Sequence, residues 1–149
     1  MEKKVGQVYF YGASVPKWNV RWMGPWDCAE FVAWGLNLTC GGYLGNQIIG
    51  CRKRDKYHNA YTGHFLEDFK TLSKIKNPKN AKQKVVEKVD IEYAKQHAGV
   101  VGVKKGHIYV SAGGGATIEA AGNNVKRAVP KLSVRKGYSF WKVNLLSYV

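Results

Sequence analysis

At 149 residues and 16.7 kDa the chain is long enough for a single domain, residues 1–149, to bury a core without staples. An apolar fraction of 45% and an aromatic fraction of 13% exclude a disordered tail, and no stretch reaches the roughly 18–20 apolar residues of a membrane-spanning helix. A formal net charge of +14, with a pI near 9.8, favours polyanionic partners such as nucleic acid, anionic lipid or a phosphate-rich wall polymer.

The opening MEKKVGQVYF carries lysines but neither the apolar run nor the small-residue cleavage site of a secretion signal. Localisation is left open among action inside the cell, export by another route, and a signal already removed. Residues 5–11 (VGQVYFY) read as a short strand or an entry turn. From Pro25 a helix signal is strong. Asp27 is a good N-cap and Glu30, three residues on, completes a variant capping box. Cys28, Phe31, Val32 and Leu36 then form one apolar face, which ends near residues 35–37. Residues 39–50 are glycine-rich and read as a loop.

Phe65, Leu66, Phe69, Leu72 and Ile75 have helical spacing, stopped by Asn77-Pro78. Val85, Val86, Val89 and Tyr93 predict a further helix, decorated with lysine outside. From Val100 the pattern alternates and is punctuated by glycine, predicting strands joined by a hairpin at residues 113–115. KRAVP and SFWKVNLLSYV supply further strands. Helices first and an antiparallel sheet afterwards describe an α+β domain.

Cys28 falls at the first position of its helix. There the free N–H groups and the helix dipole favour a thiolate and offer donors to an oxyanion. The competing reading is a small buried hydrophobe on the apolar face. The other cysteines, Cys40 and Cys51, either pair or are two buried thiols; three cysteines at irregular spacing are no disulfide framework.

Strand alternation places His107, Tyr109 and Ser111 on one face, with Ile108 and Val110 on the other. A turn centred on Gly113 sets His107 directly opposite Glu119. Glu119 then accepts the Nδ1 proton of His107, leaving Nε2 to take the proton of Cys28, which is the logic of a nucleophile–base–orienter triad. A slip of one residue turns Glu119 to the opposite face. The competing reading is a surface hairpin with an incidental His–Glu pair.

WDCAEFVAW resembles the nucleophile motif of the NlpC-type cell-wall peptidases, and GHIYVSAGGGATIEAAG resembles their second block of strand, glycine turn and strand. The closing VKRAVPKLSVRKGYSFWKVNLLSYV is similar to the family's last strands. The resemblance covers residues 20–37 and 99–149, and the lysine-rich middle, about 39–98, matches nothing in the family. Glu30 stands where glycine is usual, which narrows the site beside the thiol. Glu119 replaces the more common histidine, although acidic or amide third residues occur among relatives, including the CHAP-type amidases.

The resemblance implies a reduced papain-like fold and hydrolysis of an amide bond in the peptide stem of peptidoglycan. Cys28 would be the nucleophile, His107 the base and Glu119 the third residue, with no metal or cofactor. It also implies an upstream tyrosine that helps bind the oxyanion, for which Tyr11 is the candidate with Tyr9 close behind. Substrate contacts are expected at Trp26, Tyr11 and Tyr109. Trp18, Trp22 and Trp26 crowd the approach to Cys28, as a groove lining or as packing.

Cys40, Cys51, His58 and His64 match no standard zinc spacing, and His97 is an ordinary helix-end residue. The CRKRDK cluster (51–56) and the lysines from Lys70 to Lys95 are a solvated face or a hold on an anionic wall polymer. An immunity or delivery partner is left open. The alternatives are the same thiol chemistry on another amide or ester (a CHAP-type amidase, deamidase or acyltransferase), or a non-catalytic basic module binding nucleic acid or wall polymer.

Overall fold

A computed structural model describes residues 1–44, 49–50, 59–78, 80–122, 124–128 and 137–144. Cys51, His58 and the 51–56 basic cluster lie outside them, as does the Cys40 side chain, so neither the cysteine pair nor the zinc set can be placed. The alternating C-terminal half builds a six-stranded antiparallel sheet. Its strands are β3 (Val86–Val89), β4 (Val101–Lys104), β5 (His107–Gly113), β6 (Ala116–Ala121), β7 (Asn124–Ala128) and β8 (Ser139–Val143), in the order β3-β8-β4-β5-β6-β7. With the α-helices of the described residues, α1 (Cys28–Leu44), α2 (Thr62–Leu72) and α3 (Ile91–Gln96), this is an α+β fold. No described helix is long and apolar enough to cross a membrane.

The two sheet faces are covered differently. Cys28, Ala29, Val32 and Leu36 of α1 and Phe65 and Phe69 of α2 pack with Val101, Val103, Ile108 and Trp141 on one face. Phe31 and Trp34 of α1 continue that layer against Ile118, Ala120 and Val125. On the other face Ala94 of α3 packs with Val100, Tyr109 and Phe140.

Several elements depart from the sequence reading. Helix α1 does not stop near residues 35–37 but runs to Leu44, through much of the expected loop. It is buried nearly all round over residues 28–37, so its apolar pattern has no single face from which to read an end. Gly35 is a contact rather than a stop: a Cβ there would lie 2.8 Å from the Met1 Sδ.

The expected helix through Val85, Val86 and Val89 is strand β3, with Val86 opposite Val143 and Val89 opposite Phe140. The β-branched valines gain more from a ladder partner than from helical propensity. The helix begins only at Ile91, where the Asp90 Oδ1 accepts the Tyr93 N–H at 2.8 Å. Helix α2 ends at Leu72, short of Ile75. A two-stranded ribbon follows, β1 (Lys76–Asn77) and β2 (Asn80–Lys84); the helix has ended before Asn77-Pro78, which therefore does not stop it, and Pro78 instead follows β1 at the turn. The expected hairpin joins β5 and β6, with Gly113, Gly114 and Gly115 all at positive φ.

Candidate active site

The chain entering α1 is held on both sides. The Trp26 N–H donates to the Val8 carbonyl at 2.9 Å, and the Phe10 N–H donates to the Trp26 carbonyl at 2.8 Å. Residues 5–11 are thus an entry turn with isolated bridges, Val8 to Asn124 and Tyr9 to Trp26. Asp27 caps the helix as expected, its Oδ1 accepting the Ala29 N–H at 3.0 Å. Its Oδ2 also accepts the Gly12 N–H at 3.0 Å, tying the N-terminal segment to the start of α1. Burial raises the Asp27 carboxyl above its ordinary range, against the pull of those two N–H groups, Lys17 and His107.

Cys28 opens α1 as expected, but its thiol is not acidified. Burial and then the Asp27 carboxylate push it up to about 11, against the backbone N–H groups of Ile108, Ala29 and Cys28 itself. The helix start does act in the expected direction; desolvation beside an anion outweighs it. One helix-start donor, the Ala29 N–H, is already engaged by Asp27.

His107 opens β5, one residue before Ile108, whose N–H favours the Cys28 thiolate. Its Nε2 lies 3.2 Å from the Glu119 Oε1. The sequence reading is corrected in two respects. First, β5 and β6 pair Val110 with Ile118 and Ser111 with Thr117. Continuing that ladder sets Glu119 beside Tyr109 and diagonal to His107. The shift from the expected register is two residues, which preserves the face, and diagonal neighbours on one face remain within reach of long side chains. Second, Glu119 engages Nε2, so Nδ1 is the nitrogen left for Cys28. Among the described residues no hydrogen bond joins the thiol to the imidazole; the two are linked through Ile108 and through the field of His107 at Asp27.

Glu119 is buried, and its Oε2 accepts the Thr117 hydroxyl at 2.5 Å. Thr117 stands two residues before Glu119 on the same strand face, a spacing readable in the sequence but not used there. His107 remains 19% exposed in its side chain, enough to meet a ligand.

A cavity of about 260 Å³ opens over the thiol, lined by Tyr11, Asp27, Cys28, Glu30, Asn59 and Gly106 among others. Gly106 donates its N–H to the Thr62 hydroxyl at 2.9 Å, so the turn before His107 is fastened to the start of α2. Glu30 does not complete a capping box. It is buried, forms an ion pair with the buried Lys17 and accepts the Ala60 N–H at 2.9 Å. The expected narrowing beside the thiol therefore occurs through an inward carboxylate that holds the 59–60 segment as a cavity wall. Ser14 donates to the Asn59 Oδ1 at 3.1 Å, joining the two rims.

Of the expected substrate contacts, only Tyr11 reaches this cavity, and it is 84% exposed. Trp26 is fully buried, edge-on to Phe31 and Trp34, with its indole N–H on the Gln7 Oε1 at 2.8 Å. It is a core residue because α1 needs a large apolar partner at its entry. Tyr109 is fully buried on the α3 side, its ring filling the space left by Gly102. Neither can contact substrate. Trp18 is exposed, while Trp22 packs at the edge of the core. Tyr9 feels the charges of both Cys28 and Asp27; burial, then those charges, push its phenol up to about 12. That shift keeps it a hydrogen-bond donor at neutral pH. His97 stacks on Tyr93 at 3.9 Å between centroids, remote from the thiol's cavity.

Comparison with protein-family models, curated proteins and solved structures finds no match to this chain.

Proposed function

We propose that the chain is a papain-like cysteine hydrolase of the NlpC type, cleaving an amide bond in the peptide stem of bacterial peptidoglycan. The observation that carries this reading is the relay Thr117–Glu119–His107, with contacts of 2.5 and 3.2 Å, ending one residue from Ile108, whose N–H favours the thiolate of a helix-start cysteine that lines a cavity. The two sequence blocks that resemble the family are the two that meet there.

The raised thiol pKa dictates the order of events. At neutral pH Cys28 is a neutral thiol, so His107 Nδ1 takes its proton as sulfur attacks the carbonyl carbon, while Nε2–H is held by Glu119. The resulting imidazolium is stabilised by the buried carboxylate. Tyr11, which lines the cavity with Cys28, supplies a donor toward the oxyanion. The imidazolium then returns the proton to the leaving amine. A water deprotonated by His107 attacks the acyl-enzyme, the C–S bond breaks, and the imidazolium returns that proton to Cys28, which leaves as the thiol.

The carboxylate at the third position favours a second reading, the same chemistry on another wall amide in the manner of CHAP-type amidases. Incubating purified peptidoglycan of several chemotypes with wild type and Cys28→Ala, then identifying fragments by mass spectrometry, tests both. The expected result is stem-peptide cleavage by wild type alone. Equal fragment yields would remove Cys28 from the reaction, and the bond cut separates the two readings.

A further inference from the structure

The β1–β2 ribbon is built against its own electrostatics. Lys76 and Lys84 are direct cross-strand partners, and like charges placed opposite each other on two strands are destabilising. Lys82 lies two residues from Lys84 on the same strand face, Lys74 precedes the ribbon, and all four lysines are exposed. Between residues 70 and 88 the sequence holds seven lysines against one glutamate, a net +6 of the chain's +14. That glutamate, Glu87, stands opposite Lys142 in the neighbouring sheet and not on the ribbon.

The ribbon is also fixed in place. The Val85 N–H donates to the Ile75 carbonyl at 2.8 Å, and the Asn144 side-chain amide donates to the Lys84 carbonyl at 2.7 Å. A fixed backbone that gathers like charges suits a polyanion, because the repulsion between the lysines is relieved when phosphates lie between them.

From this ribbon we infer a docking surface for a linear phosphodiester polymer lacking bases, of the kind that makes bacterial walls anionic. The inference rests on the wall-hydrolase reading and names how that enzyme is held on its substrate. A single-stranded nucleic acid is the less suitable occupant, since base stacking needs aromatic platforms and residues 74–84 contain none. The ribbon follows the C-terminal end of α2, whose first residue, Thr62, lines the thiol's cavity. The 11 residues of α2 separate the two by roughly 16 Å, so one polymer-bearing strand of wall can engage both.

The test uses the full chain carrying Cys28→Ala, so that binding is read without turnover. Its sedimentation with wall sacculi is compared before and after the phosphodiester polymer has been stripped by acid. Binding is expected to fall at least tenfold on stripping. It should fall by a similar factor when Lys76, Lys82 and Lys84 are replaced by Gln, with the slope of log affinity against log salt reduced by about 2–3. The control triple Lys3→Gln, Lys105→Gln and Lys126→Gln, which removes the same charge elsewhere, should lose less than half as much.

Undiminished binding to stripped sacculi, an equal loss in the control triple, or tighter binding to single-stranded DNA than to the isolated polymer would each overturn the inference. Wild-type protein that binds through the ribbon yet releases no fragments would instead count against the hydrolase reading and leave the docking surface standing.

Discussion

Glu30 gives the sharpest test of how the cavity is held. Replacing it with Ala removes a carboxylate that is 3% exposed, separates it from a Lys17 that is 2% exposed, and takes the acceptor from the Ala60 N–H. Breaking a buried pair by deleting one partner costs about 3–5 kcal/mol, chiefly because a desolvated charge is left behind. The orphaned N–H belongs to the same site, so its penalty overlaps and a total near 4 kcal/mol is expected. For a chain of this length that corresponds to a drop in Tm of roughly 8–16 °C. The assay is thermal and urea unfolding at pH 7 of wild type, Glu30→Ala and the double variant Lys17→Met/Glu30→Leu. The double variant should regain most of the stability, since an apolar pair of similar volume replaces a buried ion pair at little cost. It should not regain function, because the Ala60 N–H still lacks its acceptor and the 59–62 wall is released. A loss below about 1 kcal/mol in Glu30→Ala, or a double variant as unstable as the single, would refute the assignment of a buried, compensated pair.

Four further outcomes follow from the same geometry. Alkylation of Cys28 by iodoacetamide should accelerate steadily through pH 9 and level off only near 11, because the folded thiol's pKa is raised; a plateau below pH 8 would show a preformed thiolate. The sign carries over to stability: the folded state prefers the neutral thiol, so its contribution is complete below pH 9 and lost toward 11, a loss that Cys28→Ala should lack in urea titrations. Glu119→Gln should lower Cys28-dependent fragment release by roughly 100- to 10,000-fold with little change in Tm, since a neutral amide no longer stabilises the imidazolium. Gly102→Ala places a Cβ 2.6 Å from the Tyr109 ring and should cost about 1–3 kcal/mol in unfolding assays; an unchanged Tm would mean that Tyr109 is not packed there.

What the sequence made legible is what depends on short-range pattern. Asp27 as a cap, Cys28 at a helix start and a glycine hairpin between β5 and β6 are local statements, and each is present. What escaped depends on tertiary partners. The spacing of Val86 and Val89 reads as one face of a helix, yet pairing with β8 makes them a strand with the two side chains on opposite faces. Trp26 and Tyr109 are aromatic residues near the motifs, but proximity in sequence does not tell a groove from a core. The acidity expected of Cys28 fails for the same reason. A helix dipole can be read from position, whereas desolvation and the distance to Asp27 require the fold.

Glu119 shows how far such an inference tolerates error. The expected register was displaced by two residues, and the expected ring nitrogen was the wrong one, yet the His107–Glu119 contact forms. Strand periodicity explains this, because a shift of two conserves the face and a shift of one destroys it. The reversal of the ring nitrogen then follows from the diagonal offset, which brings the carboxylate to Nε2 and turns Nδ1 away from it. That reversal has a chemical consequence. With Nε2 held on a buried carboxylate that Thr117 contacts in turn, the tautomer with its proton on Nε2 leaves the Nδ1 lone pair open, the form that the proposed role of His107 as a base would use.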